Sequence, residues 1–267
     1  MIKTDMHMHT SFSADSDAPM EEMIKASIDK GLRHITFTEH LDEDFPPKYG
    51  LDFTFDIDEY FAKVNELKEK YKEKIEILHG IELGVMPHLT DSYNSLVDSY
   101  DFDFVIASSH LVDMQDPYYP QFWENNTFHE GCRKYFKTIS DNINAFKNFD
   151  SYGHLDYIIR YGTDEKKISY LDYSDILDEI LLLLINNNKA LEINTAGYKY
   201  GLNAPNPSAE IITRYLELGG KLFTIGSDAH KPEHIAYDYV RLEAFLKMLG
   251  VKEYVYYIKR KPVTVPL

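Results

Sequence analysis

The 267-residue chain is 44% hydrophobic, long enough for one barrel domain with a full core and short of a comfortable two-domain protein. A formal net charge of -16 disfavours a long polyanionic partner, because nucleic-acid surfaces need clustered Lys and Arg, and no apolar run approaches membrane-spanning length. Cys132 is the only cysteine, so no intrachain disulfide can form; with a predicted strand starting at the N-terminus and no room for a signal peptide, a cytoplasmic location is expected.

Predicted strands and helices alternate along the chain. IKTDMHMH (2–9) reads as a strand, MEEMIKASIDKG (20–31) as a helix ending on Gly31, and HITFTEH (34–40) as the second strand. DIDEYFAKVNELKEKYKEK (56–74) carries a helical apolar stripe at Ile57, Tyr60, Phe61, Val64, Leu67 and Tyr71. Strands follow at 75–83 (IEILHGIEL) and 102–110 (FDFVIASSH), then the helical FHEGCRKYFKTISDNINAF, where Cys132 reads as a packed thiol. SYGHLDYI (151–158), ALEINT (190–195) and KLFTIGSD (221–228) complete seven strands, separated by helices over 171–188 and 207–220. A last helix over about 233–249 and a strand-like EYVYYIK (253–259) close the chain. Strand and helix in unbroken alternation predict an α/β fold with a parallel sheet, most simply a closed or nearly closed barrel, as one domain over 1–267.

Metal-liking side chains stand where these strands hand over to loops. They are His7, His9 and Asp15 in the first segment, His40 in TEHLD, Glu82 in GIELG, His110 in SSH, His154 in GHLD, and Asp228 with His230 in GSDAH. Strand alternation puts Asp5, His7 and His9 on one face and Met6 and Met8 on the other, beneath helices. Leu78, Gly80 and Glu82 share a face, as do Ser108 with His110 and Glu192 with Asn194. His79 has the opposite parity and reads as a core or helix-facing histidine; His34 begins its strand at the far end of the barrel and reads as structural. His88, His129 and His234 read as surface residues. Six imidazoles and three carboxylates exceed the four to six ligands of one ion, so two or three metals are implied.

The ordered set HxH…D, TEHLD, GIELG, SSH, GHLDYI, EINT and GSDAH, spanning residue 5 to about 234, resembles the polymerase and histidinol phosphatase (PHP) family. The resemblance implies a distorted (β/α)7 barrel with three divalent ions, Zn, Mn or Fe. It implies one ion on His7, His9, Glu82 and Asp228, a second on Glu82, His110 and His154 with Glu82 bridging, and a third on Asp15, His40 and His230. Position 15 is Asp where some members carry His, which makes the third site harder. Three ions bring roughly +6 against about -3 from Glu82, Asp15 and Asp228, leaving a positive pocket in an acidic protein.

The implied activity is phosphomonoester hydrolysis, with L-histidinol phosphate of histidine biosynthesis as substrate. Two ions sharing Glu82 would lower the pKa of a bridging water, so hydroxide can attack phosphorus in line. Arg160 in HLDYIIR would hold the phosphoryl oxygens, its alternative being a surface ion pair. Asp42, Asp228 and His230 are candidates to protonate the leaving alkoxide. Loops 41–55 and 111–128 are expected to read a flat, cationic leaving group through Asp42, Asp44 and the aromatic cluster of Tyr118, Tyr119, Phe122 and Trp123. Competing readings are a nucleotide phosphatase or exonuclease of the same family and a non-catalytic structural metal-binding module. No membrane or nucleic-acid partner is expected.

Overall fold

The computed structural model describes residues 1–161 and 168–267. Its elements run β1 (Thr4–Asp5), α1 (Met20–Asp29), β2 (His34–Leu41), α2 (Ile57–Tyr71), β3 (Glu76–Gly84), α3 (Thr90–Ser99) and β4 (Phe104–Ser108). Next come α4 (Pro120–Glu124), α5 (Phe128–Ala145), β5 (Ser151–Tyr152), α6 (Ser174–Asn186), β6 (Ala190–Asn194), α7 (Ala196–Lys199), α8 (Ala209–Glu217), β7 (Phe223–Gly226) and α9 (Tyr239–Met248). A hairpin of β8 (Glu253–Ile258) and β9 (Lys261–Pro266) ends the chain.

Strands β1 to β7 pair in sequence order, all parallel. The ring closes where Met6 N donates to Ile225 O (2.9 Å), Asp228 N to His7 O (2.8 Å) and His9 N to Ala229 O (2.9 Å). This is the distorted seven-stranded barrel implied by the motifs. Two apolar layers stabilise it. The larger lies between strands and helices and includes Val64, Leu67, Phe136 and Leu181; the smaller fills the barrel floor with Met6, Leu78, Phe104, Ile106 and Val255. Among the described residues no helix is long and apolar enough to cross a membrane.

Several sequence expectations are corrected. The first strand pairs regularly over Thr4–Asp5 only, so alternation fails beyond it: Met8 packs outward as expected, but Met6 turns into the barrel floor. Asp5 does not join the donor cluster; its carboxylate accepts from Ser227 N (2.9 Å), Ala236 N (3.0 Å) and the His7 backbone N (3.5 Å). The 151–158 segment is strand only at Ser151–Tyr152, then a 3-10 turn over Tyr157–Arg160. The last helix begins at Tyr239, after Asp238 adopts a left-handed backbone (φ 54°). Helix α3 and strand β9 were not predicted; both sit on polar or proline-bearing sequence that only packing makes regular.

Candidate metal centre

All nine predicted donors converge at the C-terminal end of the barrel. Glu82, fully buried at the end of β3, is the centre. Its Oε2 lies 2.9 Å from His40 Nδ1, 3.2 Å from His7 Nε2 and 3.5 Å from His9 Nε2. Its Oε1 lies 3.0 Å from His154 Nε2 and 3.3 Å from His110 Nε2, and accepts from Ser108 Oγ at 2.6 Å. Asp228 Oδ1 stands 3.5 Å from His9 Nε2 and 3.6 Å from His230 Nδ1; Asp15 Oδ2 stands 3.1 Å from His230 Nε2 and 3.7 Å from His40 Nε2. Crowding of this kind requires small neighbours. A side chain at Gly226 would collide with His7, and one at Gly153 with the Ser108 hydroxyl that supports Glu82.

These residues fit divalent ions. Donor triplets within 4.8 Å of one another include His7, His9 and Glu82; Glu82, His110 and His154; and His9, His40 and His230. His40 Nδ1, Glu82 Oε2, His110 Nε2 and His154 Nδ1 are buried without a hydrogen-bond partner, although His40 and Glu82 are only 2.9 Å apart. For His40, Glu82 and His110 the lone pairs are close but misaligned for bonding to one another, which is how a shared cation would use them. Burial would raise the Glu82 carboxyl, but His7, His40 and His110 outweigh it and hold the group well below the usual carboxylate range. Burial likewise opposes charge on His40, yet Glu82 and Asp15 push it up to about 9. His9 goes the other way: burial and then its neighbours His40 and His230 pull it well below an ordinary imidazole.

Behind the donors lie buried carboxylates that sequence reading left without a role. Glu192 Oε1 stands 2.5 Å from His7 Nδ1, and its other oxygen accepts from His154 N at 2.7 Å. Glu39 accepts from Thr10 N (2.9 Å), Thr10 Oγ1 (2.7 Å) and Ser13 Oγ (2.6 Å), and Ser13 Oγ in turn lies 3.2 Å from His9 Nδ1. Fixing the far ring nitrogen fixes the tautomer and the aim of the near one. The signal was present, since each is an acid inside a run of β-formers. Asp42, proposed as proton donor and substrate contact, lines the cavity and places Oδ2 2.7 Å from His110 Nδ1.

A cavity of about 580 Å³ opens above the cluster. Arg160 lines it with a side chain only 3% exposed, which rules out the surface ion-pair alternative. Tyr118 lines it too, 61% exposed and edge-on to Tyr161. Asp44 and Trp123 do not belong to its lining. Asp44 instead pairs with exposed His88 (3.1 Å), and Trp123 Nε1 donates to Pro117 O (2.8 Å) while its ring packs on Phe122 and Phe128. Composition could not tell which way those side chains turn. The cavity adds Asp116, Lys199 and Lys231, which the sequence did not single out, and His234, which was expected at the surface. Burial pushes Asp116 up to about 6.

The family profile described as PHP domain matches residues 5–196. A histidinol-phosphatase of Lactococcus lactis subsp. lactis (strain IL1403) is 38% identical over 237 residues, 86% of this chain and 85% of that protein. A probable histidinol-phosphatase of Clostridium acetobutylicum is 36% identical, covering 88% and 89%. Among solved structures, histidinol phosphate phosphatase from Lactococcus lactis, complexed with Zn, L-histidinol and phosphate, superposes with a TM-score of 0.91 at 34% identity over 98% of both chains. The chain belongs to the PHP family.

Proposed function

We propose that this protein is a metal-dependent phosphomonoesterase that hydrolyses L-histidinol phosphate to L-histidinol and phosphate in histidine biosynthesis, with three divalent ions of Zn, Mn or Fe. The observation that carries this reading is the polarity of the cavity. One side gathers Arg160, Lys199, Lys231 and His234 around Asp228; the other gathers Asp42, Asp116, Phe45, Phe53, Tyr118 and Tyr119. A phosphoryl group suits the first side and a flat cationic amino-imidazole the second. Metal-donor candidates adjoin both: Asp228 contacts Arg160, and His110 contacts Asp42. The histidinol-phosphatase relatives and the zinc, histidinol and phosphate bound in the Lactococcus structure support the same substrate.

Divalent ions held by the nine donors would supply an activated water and neutralise phosphoryl charge. Glu82 places one oxygen toward His7, His9 and His40 and the other toward His110 and His154, so it would tie two sites together. Glu192, Glu39 and Asp42 hold the ligating imidazoles in one orientation. Arg160 binds the phosphoryl oxygens, with Lys199 beside it. Burial is outweighed at Asp228 by His7, His9 and Arg160, which hold it well below the usual carboxylate range; the proton for the leaving alkoxide would come from one of the cavity-lining residues Asp42, Asp228 and His230. The single buried cysteine suits a reducing cytoplasm. Phosphate release should be measured on histidinol phosphate, mononucleotides and short DNA. Higher kcat/KM on histidinol phosphate is expected; mononucleotides cleaved at least as well would overturn the substrate assignment.

A further inference from the structure

Arg160 is fixed on every side. Its Nε donates to Asn206 Oδ1 at 3.1 Å, and its guanidinium lies over the rings of Tyr157 (5.1 Å) and Tyr200 (4.8 Å). Both terminal nitrogens stand 3.4–3.5 Å from Asp228 Oδ2. Asn206 is fully buried, and its backbone is clamped to the end of β6 by exchange of hydrogen bonds with Asn194 (2.7 and 2.9 Å). Its amide nitrogen donates to Asp156 Oδ1, and the other Asp156 oxygen accepts from Ser208 N at 2.9 Å. Asp156 is fully buried as well.

A carboxylate offers only acceptors and an arginine Nε only a donor, so the Asn206 amide has one workable orientation between them. Turned over, it would set oxygen against oxygen and N–H against N–H. We infer that Asp156 and Asn206 form a positioning chain that fixes the rotation of the Arg160 guanidinium and aims its terminal N–H groups at the phosphoryl oxygens, an inference that rests on the phosphomonoesterase reading. With Nε committed to Asn206, the terminal edge, which also rests on Asp228 Oδ2, is the one that lines the cavity and can make a two-pronged contact with an oxyanion. Neither Asp156 nor Asn206 lines the cavity, so both act through Arg160.

The test is a pair of mutant cycles. Asn206→Ala and Asp156→Asn are made alone and in an Arg160→Ala background. Metal content, kcat and KM for histidinol phosphate, and calorimetric binding of inorganic phosphate are measured on each metal-loaded protein. Asn206→Ala should lower kcat/KM about tenfold and weaken phosphate binding by a similar factor, with metal content unchanged. In the Arg160→Ala background the same change should cost less than about twofold, because the group it aims is gone. Asp156→Asn, nearly isosteric, should cost about threefold alone and nothing further without Arg160. Equal losses in both backgrounds, or unchanged phosphate binding in the single variants, would overturn the chain. Should Asn206→Ala not fold, the Asp156→Asn cycle decides. A wild-type protein inert toward every phosphate monoester would sink the functional reading instead, while the phosphate-binding cycle still judges the positioning chain.

Discussion

The two ends of the barrel bury the same residue types and use them oppositely. At the N-terminal end, Asp103 accepts from His79 N and Lys259 N (3.0 Å each), and Asp150 accepts from Val105 N (2.9 Å) and pairs with Arg260. His34 lies tilted against Tyr256 (4.3 Å) and His79 stacks on Phe61 (4.7 Å). Each acid there finds backbone N–H groups or a cation, two of these partners, Lys259 and Arg260, coming from the turn of the β8–β9 hairpin. At the C-terminal end the acids face imidazoles instead, and lone pairs are left over. His34 and His79 also keep one unpartnered nitrogen, but among the described residues groups of three donors form only at the C-terminal end. Burial of charged groups is common to both ends; surplus acceptors are what mark a cation site.

Removing the central acceptor should produce the largest effect. Glu82→Gln keeps the shape and loses the charge, so activity should fall about a thousandfold, on the order of 4 kcal/mol in the barrier. Elemental analysis should find fewer than the two to three equivalents expected of wild type; more than a tenth of the wild-type rate with metal retained would mean the bridge is misassigned. The counterpart at the other end is Asp150→Ala, which strands Arg260 and the Val105 N–H and should cost about 3 kcal/mol of stability. Its metal content and kcat should stay near wild type, and a loss of metal there would erase the contrast. Arg160→Ala comes next: losing a charge-assisted bond to an anion should cost about 2 kcal/mol, ten- to a hundredfold in kcat/KM, with the metals in place. Unchanged kinetics would remove Arg160 from phosphate recognition.

The site was more legible in the sequence than the strands that carry it. Donors at strand ends repeat at every barrel strand but one, so small errors in strand length still leave these side chains together at the C-terminal end. Face assignment by alternation is less tolerant, and it failed for Asp5 and Met6 because the β1 ladder stops after two residues. Glu192 and Glu39 were readable as acids among β-formers, yet only the fold shows which imidazole each supports. Loop composition predicted acids and aromatics around the cavity but not their direction: Tyr118 faces in, while Trp123 packs against α5 and Asp44 faces His88. Side-chain direction in a loop depends on turn geometry that no periodicity encodes.

The smallest predicted effect concerns a C-terminal-end acid with no metal role. Asp116 N donates to Tyr49 Oη (3.1 Å) and its Oδ1 accepts from Tyr118 N (2.8 Å), which keeps the carboxylate in the aromatic side of the cavity. Burial raises its pKa from 3.8 to about 6. Between about pH 4 and pH 6 the unfolded chain has therefore released a proton that the folded chain keeps, so folding stability falls as pH rises through this window. Above pH 6 the full penalty is present, at most about 3 kcal/mol. Asp116→Asn should accordingly raise the melting temperature by a few degrees at pH 7.5 and leave it unchanged at pH 4. The same substitution removes the charge that faces a cationic leaving group, so KM for histidinol phosphate should rise roughly tenfold while that for an aryl phosphate stays put. Wild-type preference for histidinol phosphate over the aryl ester should likewise fade as pH drops through 6, and in the variant that pH dependence should vanish. A variant less stable at pH 7.5, or one that loses both substrates equally, would make Asp116 a structural acid like those at the opposite end of the barrel.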